Sequence, residues 1–272
     1  MSTEPLHYVS QVDKRCGLAA FVDVETTGLS TRSDEVVELA IALFAFDRDT
    51  GEIKGIVDEY SGLRDPGRPI PGSATGVHGI RDCDVKGKRL DDGQVLRLID
   101  QAEFLVAHNE SFDRPFVERL YPEVVGKTWL CSMNGIPWRR KGFASRGLQS
   151  LLRDHGIESQ RAHRGAPDVR ATLQLLACKD KEGVYYFRYL LDCRARRTSP
   201  ARAGTPEAAA TTRAAGTTTT TRTARAATKT KAVRGAAKVK ASGAPRKTKT
   251  AGVTRPWVLR MLERLIPQLF RR

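Results

Sequence analysis

The sequence predicts an α/β protein: a mixed five-stranded sheet flanked by helices, with a basic appendage after it. Three observations carry this. Three strand-like runs follow one another in the first 63 residues. Short apolar strands then alternate with segments of helical periodicity up to residue 180, an order that builds mixed sheets with helices on their faces. At Arg194 the composition and the charge change abruptly.

Residues 17–25, GLAAFVDVE, are an apolar run of strand length. Residues 34–47, DEVVELAIALFAFD, form a longer β-branched and apolar run, and residues 51–63, GEIKGIVDEYSGL, alternate as a third strand. The Asp-Thr-Gly-Glu at 49–52 is a hairpin signal between them. Residues 64–80, RDPGRPIPGSATGVHGI, hold too many prolines and glycines for more than a short helix. Within 92–102, Val95, Leu98 and Ile99 recur at helical spacing. EFLVAHN (103–109) reads as a short strand ending in polar residues, ESFDRPFVERLYP (110–122) as a helix, and KTWLCS (127–132) as the fifth strand. SRGLQSLLRDHGI (145–157) and APDVRATLQLLACKD (166–180) are amphipathic helices.

The chain has 272 residues and a formal charge of +15. Residues 1–193 hold 26 Lys and Arg against 29 Asp and Glu, a net of −3; the rest hold 20 against 2, a net of +18. The predicted organisation is therefore a folded domain over 1–193 with its core at about 17–180, an Ala/Thr/Lys/Arg-rich tail over 194–254, and a short segment over 255–272. The tail has too few apolar residues to offset the entropy of ordering, so disorder is expected. Its charge would hold nucleic acid without sequence preference, through counterion release. In RPWVLRMLERLIPQLFRR (255–272), Pro256 suits a helix start and Pro267 a stop. The basic amphipathic helix between them needs something to dock on. Five cysteines with no CxxC spacing argue against a disulfide framework. No apolar run approaches the ~20 residues of a membrane-spanning helix, and the first 17 residues lack the apolar core of a secretion signal. A cytoplasmic location is expected.

Asp23 and Glu25 stand inside the first strand. Residues i and i+2 of a strand share a face, so the two carboxylates converge, and like charges that close resist joint ionisation unless a cation lies between them. Oxygen donors suit hard divalent ions such as Mg²⁺ or Mn²⁺. The plain alternative is a strand end facing solvent. Two further segments bear on this. VAHNESFDRPF (106–116) puts Asp113 in the first turns of a helix, just after a strand that ends at His108 and Asn109, where α/β sites collect. AHRGAPDVRAT (162–172) puts Asp168 at the start of a helix, five residues after His163.

Together these segments resemble the DEDD exonucleases of the His subtype, the group of the proofreading epsilon subunit of bacterial DNA polymerase III and of RNase T. The resemblance runs from about Gly17 to Lys179. FVDVETTGL matches the first motif, VAHNESFDRPF the second and HRGAPD the third, and TGVHGI (75–80) is similar to the family's Val-His-Gly-Ile segment. It implies an RNase H-like fold and a metal-dependent 3′→5′ exonuclease that releases 5′-mononucleotides, with DNA favoured. Asp23, Glu25 and Asp168 would hold the ion that activates a water. Asp23 would bridge to a second ion supported by Asp113, and His163 would be the general base. Such a pair of Mg²⁺ or Mn²⁺ ions suits in-line phosphoryl displacement.

The resemblance also implies that Thr26, Gly28 and Leu29 contact the terminal nucleotide and that His78 lines its pocket. His108 and Asn109 are expected near the substrate. Phe112 reads either as a base-stacking ring or as a core residue, and Thr27 as part of a simple turn. Trp129, Trp138, Arg139, Arg140 and Lys141 read either as a strand-tracking patch or as a solvated loop beside core aromatics. Single-stranded 3′ ends are the expected substrate, with a DNA polymerase or a sliding clamp as a further partner; PQLF (267–270) is faintly similar to clamp-binding peptides. RNA 3′-trimming and non-catalytic tethering of nucleic acid are the alternatives.

Overall fold

The computed structural model describes residues 6–158 and 163–198. Most of the basic tail and the whole terminal segment lie outside the described residues. Strand β1 (Cys16–Thr26) pairs antiparallel with β2 (Val36–Asp47), which pairs antiparallel with β3 (Ile53–Leu63). On its other side β1 pairs in parallel with β4 (Leu105–Ala107), and β4 with β5 (Trp129–Cys131). The sheet order is β3-β2-β1-β4-β5, the mixed five-stranded sheet that the sequence predicts. Every residue of β2 except Asp47 is buried. Its apolar run does not alternate because both faces of the sheet are covered. The hairpin before β3 closes on Asp47, whose Oδ1 accepts from the amides of Asp49 and Thr50 at 3.0 and 2.8 Å, while Gly51 takes a φ of 74°.

The two faces of β1 separate cleanly. Ala20, Val22 and Val24 pack under α3 (Asp92–Gln101) and α4 (Glu110–Leu120). Ala19 and Phe21 face the layer of α6 (Leu148–Asp154), α7 (Gly165–Leu176) and α8 (Tyr186–Thr198), with Phe44, Phe46, Phe104 and Phe187. In the Pro/Gly-rich stretch, α1 (Gly72–His78) and α2 (Asp82–Val85) place Ala74, Ile80 and Val85 on Val37, and α5 (Ser132–Gly135) follows β5.

One expectation needs correction, and one pair of alternatives is decided. The domain does not end at Cys193: α8 runs on to Thr198, and Arg194 pairs with Glu103 at 3.3 Å and lies over the Phe104 ring. Of the two readings of the Trp129 and Trp138–Lys141 group, the loop beside core aromatics matches the structure, since both tryptophans are core. Trp129 packs under α3 and α4, and Trp138 is fully buried with its Nε1 donating to Ser132 O at 2.8 Å. Only Arg139 and Arg140 of that group are exposed, and Lys141 pairs with Asp180 and Glu182. Among the described residues no helix is long and apolar enough to cross a membrane.

Candidate active site

The row that starts with Ala19 and Phe21 continues along the same face of β1 as Asp23 and Glu25. The first turn of α7 lies over this end and brings in Asp168, which is buried. Donor atoms of Glu25, His163 and Asp168 lie within 4.8 Å of one another. Asp168 is tied on both oxygens: Oδ1 accepts from Gln149 Nε2 at 3.3 Å and Oδ2 from the His163 amide at 2.8 Å. His163 adopts φ 62°, the one positive φ outside glycine among the described residues. The left-handed region is costly for a residue with a Cβ, so His163 itself is held by its surroundings.

Asp113 arrives from the other helix layer. The β1–β4 ladder consists of Ala20–Leu105 and Phe21–Val106. Beyond it, the Val24 amide donates to Asp113 Oδ1 at 3.2 Å. The carboxylate therefore caps the open end of a short ladder and reaches β1 around the sheet end.

Electrostatically the site is loaded. Burial, then Asp113, Glu25, Asp168 and Glu38, push the Asp23 carboxyl well above the ordinary range. Burial, then Asp168, Glu38 and Asp113, do the same to Glu25, against the pull of Arg164. Burial raises Asp113 to about 7, although the Val24 amide opposes it. Asp23 Oδ2 is sealed from solvent with no hydrogen-bond partner among the described residues, and a buried unpartnered acceptor is costly. An all-oxygen carboxylate set with one imidazole nearby, one oxygen orphaned and mutual repulsion unrelieved, fits hard divalent cations.

A family model described as Exonuclease (RNase_T) matches residues 20–176. The chain belongs to the exonuclease family. PolC-type DNA polymerase III of Listeria monocytogenes is 32% identical over 159 residues, covering 56% of this chain and 10% of that polymerase. The PolC-type enzyme of Streptococcus agalactiae is 33% identical over 185 residues, covering 63% and 12%. The chain thus spans about a tenth of the length of the polymerases it matches. A solved structure of exonuclease I aligns with a TM-score of 0.50 at 18% identity, over 65% of this chain and 44% of that one. At that identity the likeness concerns the fold.

In this exonuclease-family chain the loop after β1 is braced rather than loose. A register shift falls between Glu25 and Thr26, and bulges often re-aim strands beside active sites. Thr26 Oγ1 donates to Gly28 O at 2.6 Å. A Cβ at Gly28 would fall 2.4 Å from the Asp34 carboxylate, so any larger residue must pull Asp34 out of its bonds to Thr27, Ser30 and Arg68. Thr27 joins Asp34 and Arg68, with Arg68 Nη2 donating to Thr27 Oγ1 at 2.9 Å and Asp34 Oδ1 at 2.7 Å. That accords with a turn role for Thr27. Leu29 is half-buried. Phe112 is also half-buried, its ring 5.2 Å from Phe116, so it packs on the core by one side. Asn109 precedes α4 and accepts from Ser111 Oγ at 3.2 Å.

The two other histidines expected at the site, His78 and His108, are buried rather than exposed contacts. His108 is buried, with Nε2 donating to Arg146 O at 2.9 Å and Nδ1 accepting from Ser132 Oγ at 3.0 Å. Both ring nitrogens are engaged inside the protein, which leaves none for substrate. His78 is 3% exposed and accepts from the Ile80 amide at 3.0 Å through Nδ1, while its buried Nε2 has no hydrogen-bond partner among the described residues. Burial lowers each ring to about 4 and keeps it neutral.

Sequence reasoning missed Glu38, Arg164 and Gln149. Glu38 stands opposite Glu25 in the β1–β2 register and is buried under Arg164. Its signal was present: a lone carboxylate inside an otherwise apolar strand demands a buried partner.

Proposed function

We propose that this chain is a 3′→5′ exonuclease of the His subtype that hydrolyses single-stranded nucleic-acid ends, DNA preferred, to 5′-mononucleotides. The observation that carries the reading is the sealed, unpartnered Asp23 Oδ2 among Glu25, Asp113 and Asp168. A non-catalytic tether would have no use for so repulsive a cluster. Asp23, Glu25 and Asp168 would hold one Mg²⁺ or Mn²⁺, and Asp23 with Asp113 a second. When bound, such ions neutralise the scissile phosphate and acidify a water. His163 would take the water's proton at an imidazole nitrogen. The new P–O bond forms on the face opposite the leaving oxygen, and the P–O3′ bond breaks, the departing O3′ taking a proton from solvent water to become the 3′-hydroxyl of the shortened strand. The braced loop at Thr26–Leu29 and the outer side of Phe112 would seat the terminal nucleotide, and the close packing at Gly28 fixes that loop before substrate arrives.

The +18 tail would keep nucleic acid near the site. The likeness to PolC-type polymerases supports association with a replicative polymerase as a further proposal. Five free cysteines fit a reducing cytoplasm. The test gives the full chain 5′-labelled single-stranded DNA and RNA of one sequence, with Mg²⁺ or Mn²⁺, beside Asp23→Ala. The expected result is a ladder shortening from the 3′ end, faster on DNA and absent in the variant. A faster RNA ladder would reassign the substrate. Tight binding without a ladder would make the chain a tether.

A further inference from the structure

We infer that Glu38 and Arg164 form a positioning clamp that holds His163 and Asp168 in register with Glu25, and that both turnover and metal affinity depend on it. The inference rests on the exonuclease reading and deepens it. Glu38 lies on β2 directly across from Glu25, and its side chain is 4% exposed. Its two oxygens take three donors: Oε2 accepts from Arg164 Nε at 3.0 Å and the Gly165 amide at 3.1 Å, and Oε1 from Arg164 Nη2 at 3.1 Å. A planar guanidinium bonded through two nitrogens to one carboxylate has essentially one orientation. Arg164 is the residue before α7 and Gly165 the first residue within it. Glu38 therefore grips the helix start by side chain and backbone at once.

The gripped residues sit between the two groups that matter. His163 immediately precedes Arg164 and holds its left-handed backbone, its amide tied to Asp168 Oδ2. Asp168 follows one helical turn later, and both contribute to the donor group with Glu25. The helix start is also pressed close to the strand, since a Cβ at Gly165 would lie 2.7 Å from Ala40 Cβ. One carboxylate on β2 thus fixes the height and the rotation of α7's first turn over β1. Because Glu38 is spent on Arg164 and Gly165, it is not one of the ion-holding carboxylates, unlike its neighbour across the ladder.

A charge-neutralising role and a positioning role separate in Arg164→Lys, which keeps the cation and loses the fork. Glu38→Gln is nearly isosteric and retains an acceptor for the Gly165 amide. Both variants of the full chain are compared with wild type in three readouts: kcat and KM on a labelled oligonucleotide, Mn²⁺ affinity by electron paramagnetic resonance, and thermal unfolding. The expected result is a fall in kcat of at least tenfold in each, KM within twofold, and Mn²⁺ affinity weakened at least threefold while the protein stays folded. Wild-type kcat and Mn²⁺ affinity in Arg164→Lys would overturn the clamp, as would losses that merely track the unfolded fraction. A wild-type chain that binds Mn²⁺ and cleaves nothing defeats the exonuclease reading alone. Weakened Mn²⁺ binding in the variants would still support the clamp. A wild-type chain that cleaves, beside unaffected variants, defeats the clamp alone.

Discussion

One face of β1 and β2 carries opposite chemistries under a single helix layer. At one end it is dry and aromatic: Phe46 meets Phe187 at 5.1 Å and Phe104 at 5.6 Å, and Phe44 meets Phe187 at 5.2 Å. Two residues along β1 from Phe21 the same row becomes Asp23 and Glu25, where carboxyls are crowded and one oxygen has no partner. The aromatic end is held by its own contacts. The acidic end is held by everything around it and gains nothing from its own. Strain at a site persists when the surrounding packing over-determines it, and here the over-determination comes from the same two strands.

The comparison breaks most visibly at Asp23. Asp23→Asn should reduce cleavage by at least ~10²-fold, as expected on losing a charge that organises the reacting phosphate. It should also raise Tm in EDTA, because it removes a buried carboxylate without a partner. A lower Tm would mean that the acidic end is not strained. At the other end, Phe187→Ala should cost ~3–5 kcal/mol in urea unfolding by opening a cavity, with cleavage per folded molecule nearly unchanged. A large loss of activity at full folding would show that the two ends are coupled. Between them, Gly165→Ala should cost ~1–3 kcal/mol by overpacking α7 on Ala40, and its kcat should fall further than its stability suggests.

The smallest effect is a pH dependence. Asp113 at about 7, with Asp23 and Glu25 raised above their ordinary range, binds protons more tightly folded than unfolded. Their contribution to stability is present in acid and is lost as pH rises through the folded values. His78 and His108, lowered to about 4, act oppositely and lose stability as pH falls below their unfolded value. At pH 6.5 an unfolded histidine is still about half protonated, so His78 and His108 offset part of the carboxyl effect up to about pH 7.5, and above that the carboxyls dominate. Tm in EDTA should therefore fall by ~2–4 °C between pH 7.5 and 8.5, and Mn²⁺ should abolish the slope. A flat profile without metal would argue that the cluster is not repulsive.

Much of this was legible in the chain, for local reasons. The five strands and the helices at 92–101, 110–120, 148–154 and 165–176 follow from apolar periodicity and turn residues, both short-range signals. Asp23 with Glu25, Asp113, and His163 with Asp168 stand out for the same reason, each lying within one short segment. The Glu38–Arg164 pair spans 126 positions and exists only because the hairpin register puts Glu38 across from Glu25. The burial of His78 and His108 is likewise decided by what packs on them. Helix α8, YFRYLLDCRARRT, mixes aromatic and basic residues with weak periodicity, and it is fixed chiefly by Phe187 docking among distant phenylalanines.

Strand β4 is three residues long. Had it run two residues further, its carbonyls would have reached the Val24 amide, the sheet would have gained a rung, and the Asp113 carboxylate would have been evicted. A better sheet would have been a closed wall. The brevity of one interior strand is what opens a doorway in the sheet, and lengthening β4 is a redesign expected to strengthen the sheet while displacing Asp113 from the site.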